Sequence, residues 1–373
     1  MPRFANLLPG DPAPWFRGRT TSNPRYVFDA AAGRYLVLCF FATAADPGSR
    51  AAMGAAAARP DLFDDRRAAF FGVSQDPMDE REGRVVERIP GYRFFLDFDG
   101  AIGRAYGALA SDADPGAGQV AIQRRWVILD PTLRVIAVIP FRPDGGDAGE
   151  ALGLLERLPP PERFAGMELQ APVLVLPQVF EPEFCARLIA LYAAHGGAES
   201  GVMRDVDGKT VAVMDARHKR RKDHVIEDRE AIEAIQARFL RRVAPEIRKI
   251  HQFEVSRMER YLVACYAAED GGHFAPHRDN TTHGTAHRRF AVSVNLNEDF
   301  DGGEVCFPEY GPRRFKAPVG GAVVFSCSLL HAVSPVTRGR RYAFLPFLYD
   351  EAAAKVREAN MGRVAEEIAG YRA

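Results

Sequence analysis

Apolar residues in the first 160 positions fall in short, uninterrupted runs separated by stretches of helical period. Tyr35–Phe41 (YLVLCFF), Ala68–Val73, Trp126–Leu129 and Val135–Ile139 predict buried strands. Ala51–Ala58, Met78–Ile89 and Ala148–Leu158 predict helices, so the segment reads as an α/β unit around a mixed sheet. Leu158–Gly166 (LPPPERFAG) then breaks the pattern, because three consecutive prolines cannot continue a helix. Beyond it, Val173–Leu176 predicts a strand, Pro182–Ala194 an amphipathic helix and Glu230–Ile250 one long polar helix. From Met258 the texture changes to short strands between Gly, Pro, Asn and Asp. These are Met258–Tyr266, Phe290–Leu296, Glu304–Phe307, Ala322–Cys327 and Tyr342–Leu348, a jelly-roll pattern, followed by a helical Glu351–Ala373.

The pattern and the 373-residue length both predict two domains: 1–160, a Pro-rich linker over 161–167, and 168–373. Lys and Arg number 49, as do Asp and Glu, so no global field draws nucleic acid or an anionic membrane. No apolar run is long enough to span a bilayer, and the first residues lack the apolar core of a secretory signal. The five cysteines are dispersed without a CxxC pair, which together with the missing signal predicts a reducing, cytoplasmic setting.

The histidines change the picture most. All nine lie at or after His195. In GGHFAPHRDN, His277 and Asp279 stand two apart, so on a strand both would project from one face. His331 follows 52 residues after Asp279. Two imidazoles and one carboxylate that leave coordination positions open are the facial triad of non-haem Fe(II) oxygenases. Ten residues on, Arg341 offers a planar fork for a carboxylate, with Thr337–Arg340 read as the turn before it.

This order of motifs, with the FDGGE and PVGGAVVF stretches between them, resembles the Fe(II)/2-oxoglutarate-dependent dioxygenases of the prolyl 4-hydroxylase-like branch over about Ala171–Asp350. The resemblance implies a double-stranded β-helix (jelly roll) with flanking helices. His277, Asp279 and His331 are then expected as iron ligands and Arg341 as the partner of the distal 2-oxoglutarate carboxylate. Tyr266 is expected either to help hold 2-oxoglutarate or to be a core aromatic with a polar tip. The implied reaction consumes 2-oxoglutarate and O2, with ascorbate as a reductant, and hydroxylates a C–H bond with release of succinate and CO2. The substrate is expected to be a peptidyl side chain or an amino-acid-like small molecule.

In the first half, LLPGDPAPWF, YLVLCFF, VSQDPMDE, YRFFLDFDGAIGRAYGA and RRWVILDP occur in the order seen in peroxiredoxins, over about Leu7–Leu158. The resemblance implies a thioredoxin fold. Ser49 stands where that family has its reactive cysteine, and Asp46 where it usually has threonine. A serine hydroxyl needs a base to act as nucleophile, and this half has no histidine. Cys39, its only cysteine, lies inside an apolar strand. A peroxiredoxin-like domain that has lost peroxidase chemistry is therefore expected, used for docking a protein partner, presenting substrate or forming a homo-oligomer.

The rivals to a hydroxylase are a non-catalytic two-domain scaffold and, against Ser49, a thiol peroxidase. Other residues leave two readings open. His273, His283 and His287 are either satisfied surface histidines or substrate contacts, and Arg288 and Arg289 are candidates for the mouth of the site. The basic run Arg217–Lys222 (RHKRRK) is either a solvated loop or a lid that attracts an acidic substrate.

Overall fold

The structure is a computed structural model that describes residues 3–113 and 120–365. It divides into two units, Met1–Gln170 with Pro308–Pro312, and Ala171–Phe307 with Arg313–Ala373.

The first unit is built on a five-stranded sheet in the order Tyr92–Leu96, Ala68–Ser74, Tyr35–Ala42, Arg125–Leu129, Val135–Pro140. The first three strands run parallel and the last two antiparallel to their neighbours. This is the thioredoxin-like arrangement the motifs implied. Tyr35–Phe41 is a continuous apolar run because helices cover the sheet and leave neither side of this central strand in water. The Met78–Ile89 helix is a correction. Only Pro77–Arg81 is helical there, and Tyr92–Leu96 and the short helix Ala101–Ala105 were not foreseen. Acidic and basic residues in Asp79–Arg88 mimic a helical period, but Gly83 at φ 64° ends the helix after five residues.

In the second unit, one sheet runs Arg257–Glu259, Phe347–Tyr349, Phe290–Asn295, Val336–Phe344, Leu262–Ala267, Lys222–Val225, Ala198–Glu199. Ala322–Ser326 and Leu174–Leu176 extend it beside Phe290–Asn295. A second sheet runs Lys219–Arg220, His273–His277, His331–Val333, Val305–Cys306, Arg314–Phe315. Residues from both, among them Leu262, Ala264, Tyr266 and Val333, pack in one apolar cluster, so the two sheets face each other as in a jelly roll. Period-two alternation decides what enters that space. On the larger sheet Val263, Val292, Val294 and Phe344 point the other way, onto the helices Pro182–His195 and Arg229–Arg242.

Several expected elements are divided. The polar helix is two, Arg229–Arg242 and Ala244–His251, because Pro245 opens a new first turn. Met258–Tyr266 breaks at Arg260, whose φ is 67°. Thr337–Arg340 is no turn: it lies inside the strand Val336–Phe344, where Gly339, at φ 70°, pairs with Phe300 and the register shifts between Asp301 and Gly302. The strand Tyr342–Leu348 is interrupted before Phe347–Tyr349. The final helix covers Glu351–Asn360 and continues as a 3-10 turn to Arg363; the rest of the expected helix, 366–373, lies outside the described residues.

Arg288 does not line a mouth and His287 is not a surface residue. Both are buried against Glu259, at 2.7 and 2.9 Å. Burial alone would raise the Glu259 pKa, but the Arg288 and His287 charges win and hold it at about 2. The folded value lies below the unfolded one of about 4.3, so this carboxylate stabilises the fold above that pH. The contribution, on the order of 3 kcal/mol, is lost as pH falls towards the folded value. Glu259→Gln is expected to flatten the acid limb of stability against pH, read from urea midpoints. An unchanged limb would assign acid sensitivity to other carboxylates.

Candidate metal centre

His277 is the last residue of its strand and lies directly opposite His331 on the neighbouring strand. Directly opposed residues of an antiparallel pair project to the same side, which brings the two rings to 4.2 Å between centroids. Asp279 is not on the strand, contrary to the expectation. It sits in the following turn, where its backbone N–H donates to the Cys327 carbonyl at 2.9 Å and swings the carboxylate back over the strand end. One ligand atom from each of His277, Asp279 and His331 falls within 4.8 Å of the others. The Asp279 oxygens lie 3.5 and 3.2 Å from the two Nε2 atoms.

The tautomers follow from the other ring nitrogens. His277 Nδ1 lies 2.8 Å from the Ala275 carbonyl and His331 Nδ1 3.0 Å from that of Leu329. A carbonyl only accepts, so each Nδ1 carries the proton and each Nε2 lone pair points into the cluster. Burial and the nearby His331 push the His277 pKa down to about 4, which keeps the ring neutral and able to ligate. Two imidazoles and one carboxylate converging in this way fit a divalent metal of the iron type with open positions. Phe274 stacks on His277 at 3.5 Å and Phe325 lies 4.6 Å from His331 between ring centroids, so apolar surface backs both rings.

The second expected pair meets on the facing sheet. Tyr266 and Arg341 are direct cross-strand partners, and the guanidinium carbon lies 5.5 Å from the tyrosine ring centre. Arg341 is buried; its Nε donates to Asn295 Oδ1 at 3.0 Å and one terminal nitrogen to Ser293 Oγ at 2.6 Å. Its other terminal nitrogen, Nη1, is buried without a hydrogen-bond partner. Burial and the Arg221 charge both disfavour the Arg341 cation. An incoming carboxylate would relieve that field and satisfy the bare N–H. The residues present thus fit 2-oxoglutarate.

The FDGGE motif has a steric reason here. Gly302 and Gly303 adopt φ of 74° and 66°, and a Cβ on Gly303 would come within 2.9 Å of the Arg341 side chain.

Ser293 and Asn295 were missed from sequence. Their signal was present: in FAVSVNLN the polar residues recur at every second position of an apolar strand, and they occupy the inward positions. The basic run fits neither earlier reading. Lys219 and Arg221 are buried and lie on or between strands. His273 bonds backbone carbonyls with both ring nitrogens, and His283 faces Asp205 at 3.0 Å.

The first unit offers no comparable chemistry at the position equivalent to a reactive cysteine. Ser49 Oγ donates to the Phe41 carbonyl at 2.7 Å, and the nearby Arg124 is engaged by Asp46. Cys39 is fully buried, and burial, reinforced by Asp147, pushes its thiol pKa far up.

Residues 261–349 match the 2OG-Fe(II) oxygenase superfamily and residues 9–138 the AhpC/TSA family. A PKHD-type hydroxylase of Verminephrobacter eiseniae is 30% identical over 146 residues, which are 37% of this chain and 64% of the relative. The chain thus spans less than two thirds of that relative's length. Among solved structures, a prolyl hydroxylase from Trichoplax adhaerens, in complex with a hypoxia inducible factor peptide fragment, aligns with a TM-score of 0.41 and 18% identity. That alignment covers 53% of this chain and 93% of the other. Peroxidoxin BcpB from Mycobacterium tuberculosis aligns with a TM-score of 0.36 and 19% identity over 41% of this chain and 99% of its own. No helix among the described residues is long and apolar enough to cross a membrane. By these matches the chain is similar to the 2OG-Fe(II) oxygenase superfamily over residues 261–349 and to the AhpC/TSA family over residues 9–138.

Proposed function

We propose that the protein is an Fe(II)- and 2-oxoglutarate-dependent hydroxylase of a peptidyl or amino-acid-like substrate, releasing succinate and CO2. The observation that carries this reading is the convergence of His277, Asp279 and His331, with both Nδ1 atoms tied off and the ligand atoms within 4.8 Å. Iron(II) held there, with 2-oxoglutarate and O2, supplies the oxidising equivalents for inserting oxygen into a C–H bond, and ascorbate serves as reductant. The chain's own part is placement. His277, His331 and Asp279 hold the metal and leave positions open. Arg341, steadied by Ser293 and Asn295, receives the distal carboxylate on its bare N–H, and Tyr266 flanks it. Phe274, Phe307 and Phe325 pack apolar surface against the two imidazole rings, which would limit the access of water to a metal held there. The AhpC/TSA-type half serves as a folded docking or substrate-presenting domain, since Ser49 and Cys39 offer no thiolate.

The test is anaerobic titration of the metal-free protein with Fe(II) and 2-oxoglutarate. The visible charge-transfer band of the chelate is expected at one equivalent of iron. A folded protein that develops no band would overturn the hydroxylase reading.

A further inference from the structure

Charged residues on a strand normally face water. From Lys219 the chain does the opposite at alternate positions: Lys219, Arg221 and Asp223 are buried, while the intervening Arg220 is exposed. Arg221 is bidentate to Asp223, at 2.6 Å for each bond, and Arg260 reaches the same carboxylate at 3.4 Å. The carboxylate of this row is therefore already engaged by two guanidinium groups.

Lys219 is served differently. Its ammonium donates to Ser200 Oγ at 2.6 Å and to the Gly201 carbonyl at 2.9 Å, both neutral oxygens. An ammonium has three N–H donors, so one remains. Burial, then the Arg221 charge, disfavours the Lys219 cation. A buried ammonium whose hydrogen-bond acceptors are all neutral keeps part of its desolvation cost; the Asp223 and Asp279 charges offset some of it, and an anion beside it would offset more.

The place of this charge gives it meaning. Lys219 is the cross-strand partner of Phe274, on the strand that ends in His277, and its Nζ lies 5.0 Å from the Phe274 ring centre. That ring in turn stacks on His277. The ammonium thus stands one aromatic ring from the metal triad. Granted the hydroxylase reading, on which this step rests, the two carboxylates of 2-oxoglutarate are taken by the metal and Arg341, so neither is left for Lys219.

We propose that Lys219 anchors a carboxylate of the substrate, which makes the substrate class a compact amino-acid-like carboxylic acid rather than an internal stretch of peptide. Arg221 stiffens the wall behind this anchor by donating to the Tyr266 hydroxyl at 3.3 Å. The hydroxylated carbon is then one that lies near the carboxylate, because a single ring separates anchor from metal.

The experiment is anaerobic calorimetry on the full chain supplied with Fe(II) and 2-oxoglutarate. The titrants are N-acetyl derivatives of the common amino acids, each as the free acid and as the carboxamide. Acids of at least one side-chain class are expected to bind about tenfold or more tighter than their amides, the scale of one charge-assisted hydrogen bond. Carboxamides of the acidic amino acids tell a side-chain carboxylate from the α-carboxylate. Lys219→Met, which removes the charge at similar volume, is expected to erase the acid preference, and Lys219→Arg to keep part of it. A lysine that only tethers the Ser200–Gly201 segment would alter stability and leave the acid preference in place. Equal binding of acids and amides, survival of the preference in Lys219→Met, or no binding by any acid overturns the proposal. The charge-transfer band, recorded on the same sample, reports the hydroxylase reading separately: a wild-type protein without it overturns that reading and this inference with it. A Lys219→Met protein that keeps the band is folded and cosubstrate-competent, so its loss of preference reports the anchor alone.

Discussion

Asp279→Ala is expected to abolish iron-dependent 2-oxoglutarate turnover, the largest effect of any single substitution considered. Asp279 is the one carboxylate in the cluster, so its loss leaves two neutral imidazoles facing a divalent cation. Removing a group that merely orients a ligand typically costs about 10–100-fold in metal affinity, and removing a ligand that also carries the compensating charge should exceed that. The fold has little reason to respond. The backbone N–H of Asp279 keeps its bond to the Cys327 carbonyl, and the side chain's partners are His277 and His331. Removing it also relieves a buried carboxylate. Iron binding and succinate formation should therefore fall together while the thermal midpoint stays near that of the parent. Full turnover by the variant would exclude Asp279 as a ligand.

Arg341→Ala should separate cosubstrate from metal. The guanidinium is buried, and two of its nitrogens are spent on Asn295 and Ser293. The unpartnered Nη1, with its two N–H groups, is where a carboxylate gains most. Truncating one partner of a buried, hydrogen-bonded charge pair costs about 2–5 kcal/mol, so the 2-oxoglutarate requirement should rise by roughly 30-fold or more. Iron affinity should change by less than about threefold, since Arg341 lies on the sheet facing the triad strands. Lysine should rescue little, because a point charge on a flexible stem cannot bond Ser293, Asn295 and a ligand in one plane. The apparent KM for 2-oxoglutarate, measured beside equilibrium iron binding, checks this. Loss of iron instead would place Arg341 in the metal's support.

How much of this site was legible depended on whether the signal was local. His277, Asp279, His331 and Arg341 could be named because the chemistry restricts residue type and spacing, and because their order with the Gly-Gly motifs resembles a known family. Gly302 and Gly303 were visible as a motif but not as a reason; Gly302 lets the chain pass the Pro335 carbonyl and Gly303 the Arg341 side chain. Ser293 and Asn295 were hidden because a polar residue on an apolar strand looks like the wet side of a half-exposed sheet. Both sides of Phe290–Asn295 are covered, one by helices and the other by the facing sheet, so the polar side is the interior. The Met78–Ile89 helix failed for a similar reason: its charge pattern is compatible with several structures, and the short helix and strand were chosen by their neighbours.

Lys219 and Arg221 show the limit most sharply. Read along the chain, RHKRRK is a solvated charge run, since charged side chains are almost never buried unless paired. Only strand pairing, Lys219 against Phe274 and Lys222 against Cys265, turns alternate members inward.

The sequence by itself determined the two-part organisation, the thioredoxin-like and jelly-roll classes, the set of metal-ligating residue types and the absence of a peroxidatic cysteine at position 49. The organisation and the ligand types rest on composition, period and spacing, which a chain carries whether or not it is folded; the thioredoxin-like class and the meaning of position 49 rest on resemblance to peroxiredoxins. The tertiary structure alone decided which polar residues face inward, that Asp279 reaches the triad from a turn, that Arg341 keeps one unpartnered nitrogen, and that a buried ammonium stands one ring from His277. Those depend on contacts between residues distant in sequence, and burial, which no local pattern encodes, is what sets these charges apart from ordinary solvated ones.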